Sequence, residues 1–225
     1  MIIGHRGNAE FHLENTLEAI LAAVDIGIGI EFDVQTCATG ELVLFHDETL
    51  LRLANTPQNT HQNTPQNTPQ KISDMSWSEL SQINLIGGYK IPRLVDVLAH
   101  PRVKNSSLLI DIDIKDPCSS LGEILKPYPR KRFLVSSYSI PISLNKKYAR
   151  GHIYDADNIA TFEYSSLIKY VILDKHIVNE FILDFFKFLK IKVLVYTVNN
   201  PDFNGLDISK IHGIITDKPS LFCTF

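Results

Sequence analysis

The chain has 225 residues, 44% hydrophobic and 21% charged, with 22 Lys+Arg against 25 Asp+Glu and a net charge of -3. That balance supplies enough apolar material for a sizeable core and excludes a disordered, collagenous or fibrous chain; without a basic excess, a nucleic-acid partner has no electrostatic support. Three cysteines, Cys37, Cys118 and Cys223, are too few and too scattered for a disulfide framework. No stretch approaches the roughly 18 apolar residues of a membrane span, so no stable membrane insertion is expected. Residues 1–6 turn polar at once, unlike a signal peptide, and the expected compartment is the cytoplasm.

Strand-like runs fall at residues 1–4, 29–34, 41–45, 108–114, 133–136, 151–154, 170–173, 192–197 and 213–216, and helical pieces at 15–26, 77–83, 94–99, 121–125 and 177–189. Several strands are continuous apolar runs, as in a parallel sheet buried on both faces. In the first helix Leu17, Ile20, Leu21 and Val24 recur at helical spacing, and Asn15 with Glu18 resembles a capping box. Residues 55–70 read NTPQ-NTHQ-NTPQ-NTPQ, without an apolar residue and with too many prolines for a helix, and are expected to form a surface loop. Residues 126–132 are a basic run broken by prolines and read as a solvated loop. Phe181, Phe185 and Phe188, at helical spacing, are expected in the core. The alternation of strands and helices predicts an α/β fold, and about eight buried strands fit one TIM-type (β/α)8 barrel over residues 1–225. An open doubly wound sheet is the alternative, though no G-x-G-x-x-G follows an early strand.

The chemistry-bearing residues gather where strands end. Gly4-His5-Arg6-Gly7 follows the first strand, and its glycines suggest close backbone approach by a ligand. Glu31 and Asp33 share one face of the second strand, which is costly unless they are paired or bind a cation; such oxygen ligands suit Mg²⁺ or Ca²⁺. His46-Asp47 follows the third strand, so His5 and His46 are expected to end neighbouring strands and face one another as an acid–base pair. Asp47 reads as an ordinary turn residue. On the strand at 108–114, Ile110, Ile112 and Ile114 share one face, expected against the helices, while Asp111, Asp113 and Lys115 share the other, expected inside the barrel.

H-R-G, E-N-T-L, E-x-D-V, H-D-E-T-L, I-P-x-L-x-x-V-L, an acid-x-Lys strand, V-S-S-Y-S, Y-T-V-N and G-I-I-T-D-K-P occur in this order. The set resembles the glycerophosphodiester phosphodiesterase family from His5 to Pro219. The resemblance implies a TIM-type barrel, a divalent cation (Mg²⁺ or Ca²⁺), and hydrolysis of a glycerophosphodiester to glycerol 3-phosphate and an alcohol. It also implies attack by the glycerol 2-hydroxyl on phosphorus, followed by opening of a cyclic intermediate by water. His5 and His46 match the catalytic histidines, Glu31, Asp33 and Asp113 the metal ligands, and Arg6 and Lys115 the phosphate-binding cations. Glu14 and Asn15 match a motif that supports the first loop. Asp113 stands where Glu is common, Leu13 where Pro is usual, Thr39-Gly40 for an Asp-Gly turn, and Tyr196 for a Trp near the mouth, where it is expected to bind substrate. Family position puts the NTPQ repeat near the mouth. Two other functions fit the same residues: a lysophospholipase D or sphingomyelinase D-like enzyme on this barrel, and a barrel that binds a phosphate ligand without turnover.

Overall fold

The computed structural model describes residues 1–54, 70–138, 144, 146–203 and 205–223. Of the NTPQ repeat only Gln70 is among them; the loop expected at 55–69, with His61, lies outside the described residues. Eight strands form a closed parallel barrel: β1 (Ile2–Gly4), β2 (Gly29–Thr36), β4 (Ile110–Ile114), β5 (Phe133–Ser137), β6 (Ala149–Tyr154), β7 (Ile168–Asp174), β8 (Lys192–Tyr196) and β9 (Gly213–Thr216), with β9 pairing back onto β1. A ninth strand, β3 (Leu42–Leu44), is not part of the ring. It runs antiparallel to the end of β2, with Val34 opposite Leu44 and Thr36 opposite Leu42.

The helices are α1 (Leu17–Asp25), α2 (Trp77–Leu80), α3 (Leu94–Ala99), α4 (Pro101–Asn105), α5 (Leu121–Leu125) and α6 (Glu180–Phe188). They are short, and among the described residues two crossovers carry only the 3-10 turns Ile159–Thr161 and Ile208–Lys210. That economy is how a closed barrel is made near the lower end of its usual length. The capping expectation shifts by one residue. Thr16, not Asn15, caps α1, its hydroxyl accepting from the Ala19 amide. Asn15 has a left-handed backbone (φ 57°) and its side chain is used elsewhere.

Strand parity sorts the residues as expected. Ile30, Phe32 and Val34 of β2 and Ile110, Ile112 and Ile114 of β4 point outward into one cluster with Ile20 and Ala23 of α1 and Leu94 and Val97 of α3. Inside the barrel, Ile3, Leu134, Ile153, Ile172, Leu194 and Ile215 form an aliphatic floor and wall. The interior is therefore asymmetric, with acids from β2 and β4 facing aliphatic side chains from the other strands. The excursion between β2 and β4 has a core of its own, built on Val43, Phe45, Leu50, Leu53, Ile72, Leu80 and Leu85. Thr49 bridges to Lys71 and the Leu50 amide donates to the Gln70 carbonyl, so the chain is drawn together across residues 50–70.

One core expectation fails. Phe181 and Phe188 of α6 are 80% and 82% exposed and Phe185 is 40% exposed, while Leu183 and Phe186 are buried. Burial follows the face carrying Leu183 and Phe186, which meets β8 and the neighbouring Phe162. The apolar residues on this helix outnumber the positions that face can hold. No described helix is long and apolar enough to cross a membrane.

Candidate active site

The first loop leaves β1 abruptly. The His5 amide donates to the Thr216 carbonyl at 2.9 Å and the Gly7 amide to the Glu31 carbonyl at 3.0 Å, which pins the loop between β9 and β2. Arg6 (φ 57°) and Gly7 (φ 89°) are both left-handed, and together they turn the chain back on itself. A Cβ on Gly4 would lie 2.3 Å from the Gly7 carbonyl oxygen, and one on Gly7 would lie 2.7 Å from the Ala19 carbonyl carbon. Both glycines thus serve close approach by the chain's own backbone, rather than by a ligand as the sequence suggested.

The acids converge as their spacing requires. Registers Glu31–Asp111 and Asp33–Asp113 across β2 and β4 put four carboxylates on one inward face. Ligand oxygens of Glu31, Asp33 and Asp113 lie within 4.8 Å of one another, all buried. Lys115 Nζ donates to Asp113 at 2.6 Å and lies 2.8 Å from Asp33, and Arg6 Nε is 3.3 Å from Asp33. Asn15 grips Asp33 twice, its amide donating to the carboxylate at 2.7 Å and its oxygen accepting from the Asp33 backbone amide at 3.0 Å. The Arg6 amide donates to the Glu31 carboxylate at 2.8 Å. These donors and acids, concentrated and buried on rigid strands, fit a hard divalent cation with oxygen ligands.

The histidines reach the same cavity by different routes. His5 follows β1, and its Nδ1 lies 2.6 Å from Asp217 just past β9. Asn199 holds that carboxylate, donating to it at 2.7 Å and accepting from the Asp217 amide at 2.9 Å. His46 arrives on the returning strand β3, so it does not end a barrel strand beside His5 as expected. The Gln35 side chain fixes its segment, donating to the carbonyls of Phe45 at 2.8 Å and Asp47 at 2.9 Å. Asp47 is more than a turn residue, since it lies 2.7 Å from His46 Nδ1. Arg52 grips it in turn with bonds of 2.6 and 3.0 Å and donates to Glu14 at 2.7 and 2.8 Å, while Glu14 also accepts from Arg6 at 2.6 Å. A continuous chain of hydrogen bonds and ion pairs therefore joins His46 to Arg6.

Asp217, Asn199, Gln35, Asp47 and Arg52 are the residues that sequence reasoning missed or undervalued. Asp217 carried a signal, for it follows an apolar strand just as His5 and His46 do. Gln35 carried another, being the third inward position on β2 after Glu31 and Asp33.

His5, Arg6, Glu31, Asp33, His46, Asp113, Lys115 and Tyr196 all line one cavity of about 210 Å³, with Asp111, Ser136, Tyr138, Ile153, Ile172, Thr197 and Ile215. Its electrostatics are sharply divided. Burial, with Asp33 alongside, pushes Glu31 up to about 7. Burial also lifts Asp113 to about 6, against the pull of Lys115. Asp33 is buried too, but Lys115 and Arg6 outweigh that and hold it below the usual carboxylate range. Burial alone would lower His5; its bond to Asp217 and the charge of Glu31 more than offset this and raise it. Arg52 holds Asp47 down to about 2.

A closed parallel barrel with an acid-lined mouth and two carboxylate-backed histidines defines a class: a TIM-type barrel with a candidate cation site and an acid–base pair at one mouth. The sequence model of the glycerophosphoryl diester phosphodiesterase family matches residues 5–126, and the chain belongs to that family. A glycerophosphodiester phosphodiesterase of Caldanaerobacter subterraneus subsp. tengcongensis is 27% identical over 155 residues, 62% of this chain and 58% of that relative. The chain thus matches a little over half the length of this curated relative. The crystal structure of a glycerophosphodiester phosphodiesterase from Thermotoga maritima superposes with a TM-score of 0.75 at 29% identity, covering 98% of this chain and 96% of that one. An Oleispira antarctica phosphodiesterase, solved with the product sn-glycerol-3-phosphate, shares the fold at 20% identity with a TM-score of 0.78, covering 99% and 95% of the two chains.

Proposed function

We propose that this protein hydrolyses glycerophosphodiesters to glycerol 3-phosphate and an alcohol, using a divalent cation and a pair of histidines. The observation that carries the reading is the meeting of His5, His46, Arg6 and Lys115 with three mutually close carboxylates in one cavity. Family membership and the likeness to the Thermotoga maritima enzyme support it.

Glu31, Asp33 and Asp113 would hold the cation. When bound, it supplies neutralisation of the charge that develops on the phosphate oxygens. Arg6 and Lys115, now engaged with the acids, donate to the non-bridging oxygens once those acids are otherwise occupied. Ionised Asp217 and Asp47 accept from Nδ1 of His5 and His46, which leaves each Nε2 for proton transfer. One histidine takes the proton of the glycerol 2-hydroxyl as its oxygen bonds to phosphorus. The other gives a proton to the departing alcohol as its bond to phosphorus breaks. In the second half the roles reverse, with water adding to the cyclic phosphodiester to give glycerol 3-phosphate. Tyr196 at the mouth offers a hydroxyl and an aromatic face to the substrate.

The test is turnover of a glycerophosphodiester panel with product analysis, with lysophosphatidylcholine in parallel. Activity should disappear with chelator and return with Mg²⁺ or Ca²⁺, and His5→Ala and His46→Ala should each cost roughly 10²-fold or more in turnover. Indifference to chelator removes the cation from the mechanism. Full activity in either variant removes that histidine, and preferential cleavage of the lysophospholipid moves the protein to the lysophospholipase D reading.

A further inference from the structure

We propose that the end of the barrel opposite the catalytic cavity docks on an anionic lipid bilayer. The proposal does not depend on the reading of the active site.

The basic run at 126–132 opens a longer asymmetry. From Lys126 to Tyr154 the chain has seven Lys and Arg and no Asp or Glu, although its net charge is -3. Three of the seven are answered locally. Arg132 is buried and donates to the carbonyls of Val103 at 2.8 Å and Lys104 at 3.1 Å. Arg150 donates to the Leu144 carbonyl, and Lys126 pairs with Glu123 at 2.7 Å. Arg130, Lys131 and Lys146 are exposed, and none forms an ion pair among the described residues.

The topology brings further cations to the same end. The parallel strands all start at the end away from the mouth, and β4 to β8 are consecutive neighbours. Exposed Lys104 lies ahead of β4, held to the approach of β5 by Arg132. Arg130 and Lys131 lead into β5 and Lys146 into β6, and the pairings of Leu134 with Ala149 and Arg150 with Ile168 set these approaches side by side. Lys169 is the second residue of β7 and Lys192 the first of β8, both exposed, and exposed Lys190 stands just before β8. On the same approaches Glu123 is taken by Lys126 and Asp184 by Lys210, and Glu163 is an exposed exception. Neighbouring strands are about 4.8 Å apart, inside the roughly 8 Å screening length of physiological salt, so these cations repel one another. An anionic surface removes that cost.

Two features favour a bilayer over a nucleic acid. Of these seven exposed cations six are lysines. Lysine is a point charge suited to the diffuse field of lipid headgroups, whereas nucleic-acid recognition draws on the planar fork of arginine. Exposed aromatic side chains also stand among the cations: Tyr164, 62% exposed, precedes β7, and Phe188, 82% exposed, precedes Lys190. Cations interleaved with exposed apolar side chains make an interfacial surface. Docking by this end turns the cavity away from the lipid, toward water.

The test sediments full-length protein with vesicles of phosphatidylcholine, alone or mixed with phosphatidylglycerol, at low and high salt. Wild-type protein should bind the mixed vesicles, leave them at high salt and ignore phosphatidylcholine alone. The triple variant Arg130→Gln, Lys131→Gln, Lys146→Gln should weaken partition roughly 100-fold with its Tm kept, and Phe188→Gln should weaken it severalfold. Should the triple variant fail to fold, Lys131→Glu and Lys146→Glu make the same comparison singly. Absence of binding to mixed vesicles at low salt, equal binding to both vesicle types, or undiminished binding by the folded charge variants overturns the proposal. Tighter binding to a short DNA duplex than to the mixed vesicles, lost in the same variants, assigns the face to nucleic acid and overturns the lipid.

Discussion

Replacing Asp217 with Asn preserves shape and removes the charge behind His5. Asn199 Oδ1 already accepts from the Asp217 amide at 2.9 Å and from Thr216 at 3.1 Å, so its Nδ2 must keep donating toward residue 217. The new amide then has to turn its oxygen to Asn199 and its nitrogen to His5. That forces His5 Nδ1 to accept, moves the ring proton to Nε2 and spoils the nitrogen proposed for proton transfer. The lost contact is a charge-assisted bond of 2.6 Å. Such bonds contribute about 1.5–3 kcal/mol, and at 1.36 kcal/mol per decade kcat should fall roughly 10- to 150-fold. The pH profile should move as well. Burial lowers the His5 pKa while Asp217 and Glu31 raise it, so the variant loses the Asp217 share, keeps that of Glu31, and the His5 limb shifts to lower pH. The assay couples glycerol 3-phosphate release to a dehydrogenase across the range in which histidine titrates. A folded variant with wild-type kcat and an unshifted profile refutes the assignment of Asp217.

Four further outcomes are expected. Arg52→Ala should lower kcat about 5- to 10-fold with little change in KM, since Arg52 acts through Asp47 and is 44% exposed to water that partly replaces it; a change confined to KM would place it on the substrate instead. Its partners supply a pH test. Arg52 holds Asp47 down to about 2, and Glu14, though burial raises it, is also held low by Arg52 and Arg6. Stabilisation by these pairs is complete above about pH 5 and is lost as pH falls through the depressed values, so the Tm gap between wild type and Arg52→Ala should close on acidification. Gly7→Ala meets both a left-handed backbone and the Ala19 carbonyl, and should cost about 2 kcal/mol or more in denaturant unfolding; wild-type stability would mean the turn has a relaxed alternative. Phe181→Gln and Phe188→Gln should stay within about 0.5 kcal/mol of wild type, against about 3–5 kcal/mol for Phe186→Ala; comparable losses at all three would restore the core reading of the helix.

The fold and much of the site were legible because both rest on short-range rules. Strand parity alone put Asp111, Asp113 and Lys115 inside the barrel and Ile110, Ile112 and Ile114 outside. The ordered motifs located both histidines and the acids. What stayed hidden depends on contacts distant in sequence. Asp217 meets His5 across 212 positions, a pairing set by barrel closure that no local pattern encodes. β3 looked like any barrel strand, because three buried apolar residues do not reveal direction. Asn15 satisfied the capping pattern, yet its side chain does more by holding Asp33 than it would at a helix end. The phenylalanines of α6 misled for a related reason: period marks a shared face but not which face has a neighbour.

The inward carboxylates, both histidines and the cavity's two basic side chains, Arg6 and Lys115, lie between residues 5 and 115, while β5 to β9 give the cavity Tyr138, Ile153, Ile172, Tyr196 and Ile215. Chemistry and shape are thus encoded in successive stretches of the chain. A lineage can remodel the later wall to admit a bulkier or greasier alcohol while the earlier stretch stays intact. One tie between them within the cavity is the bond from His5 to Asp217, and that contact limits how far the second half can drift before the first is disturbed.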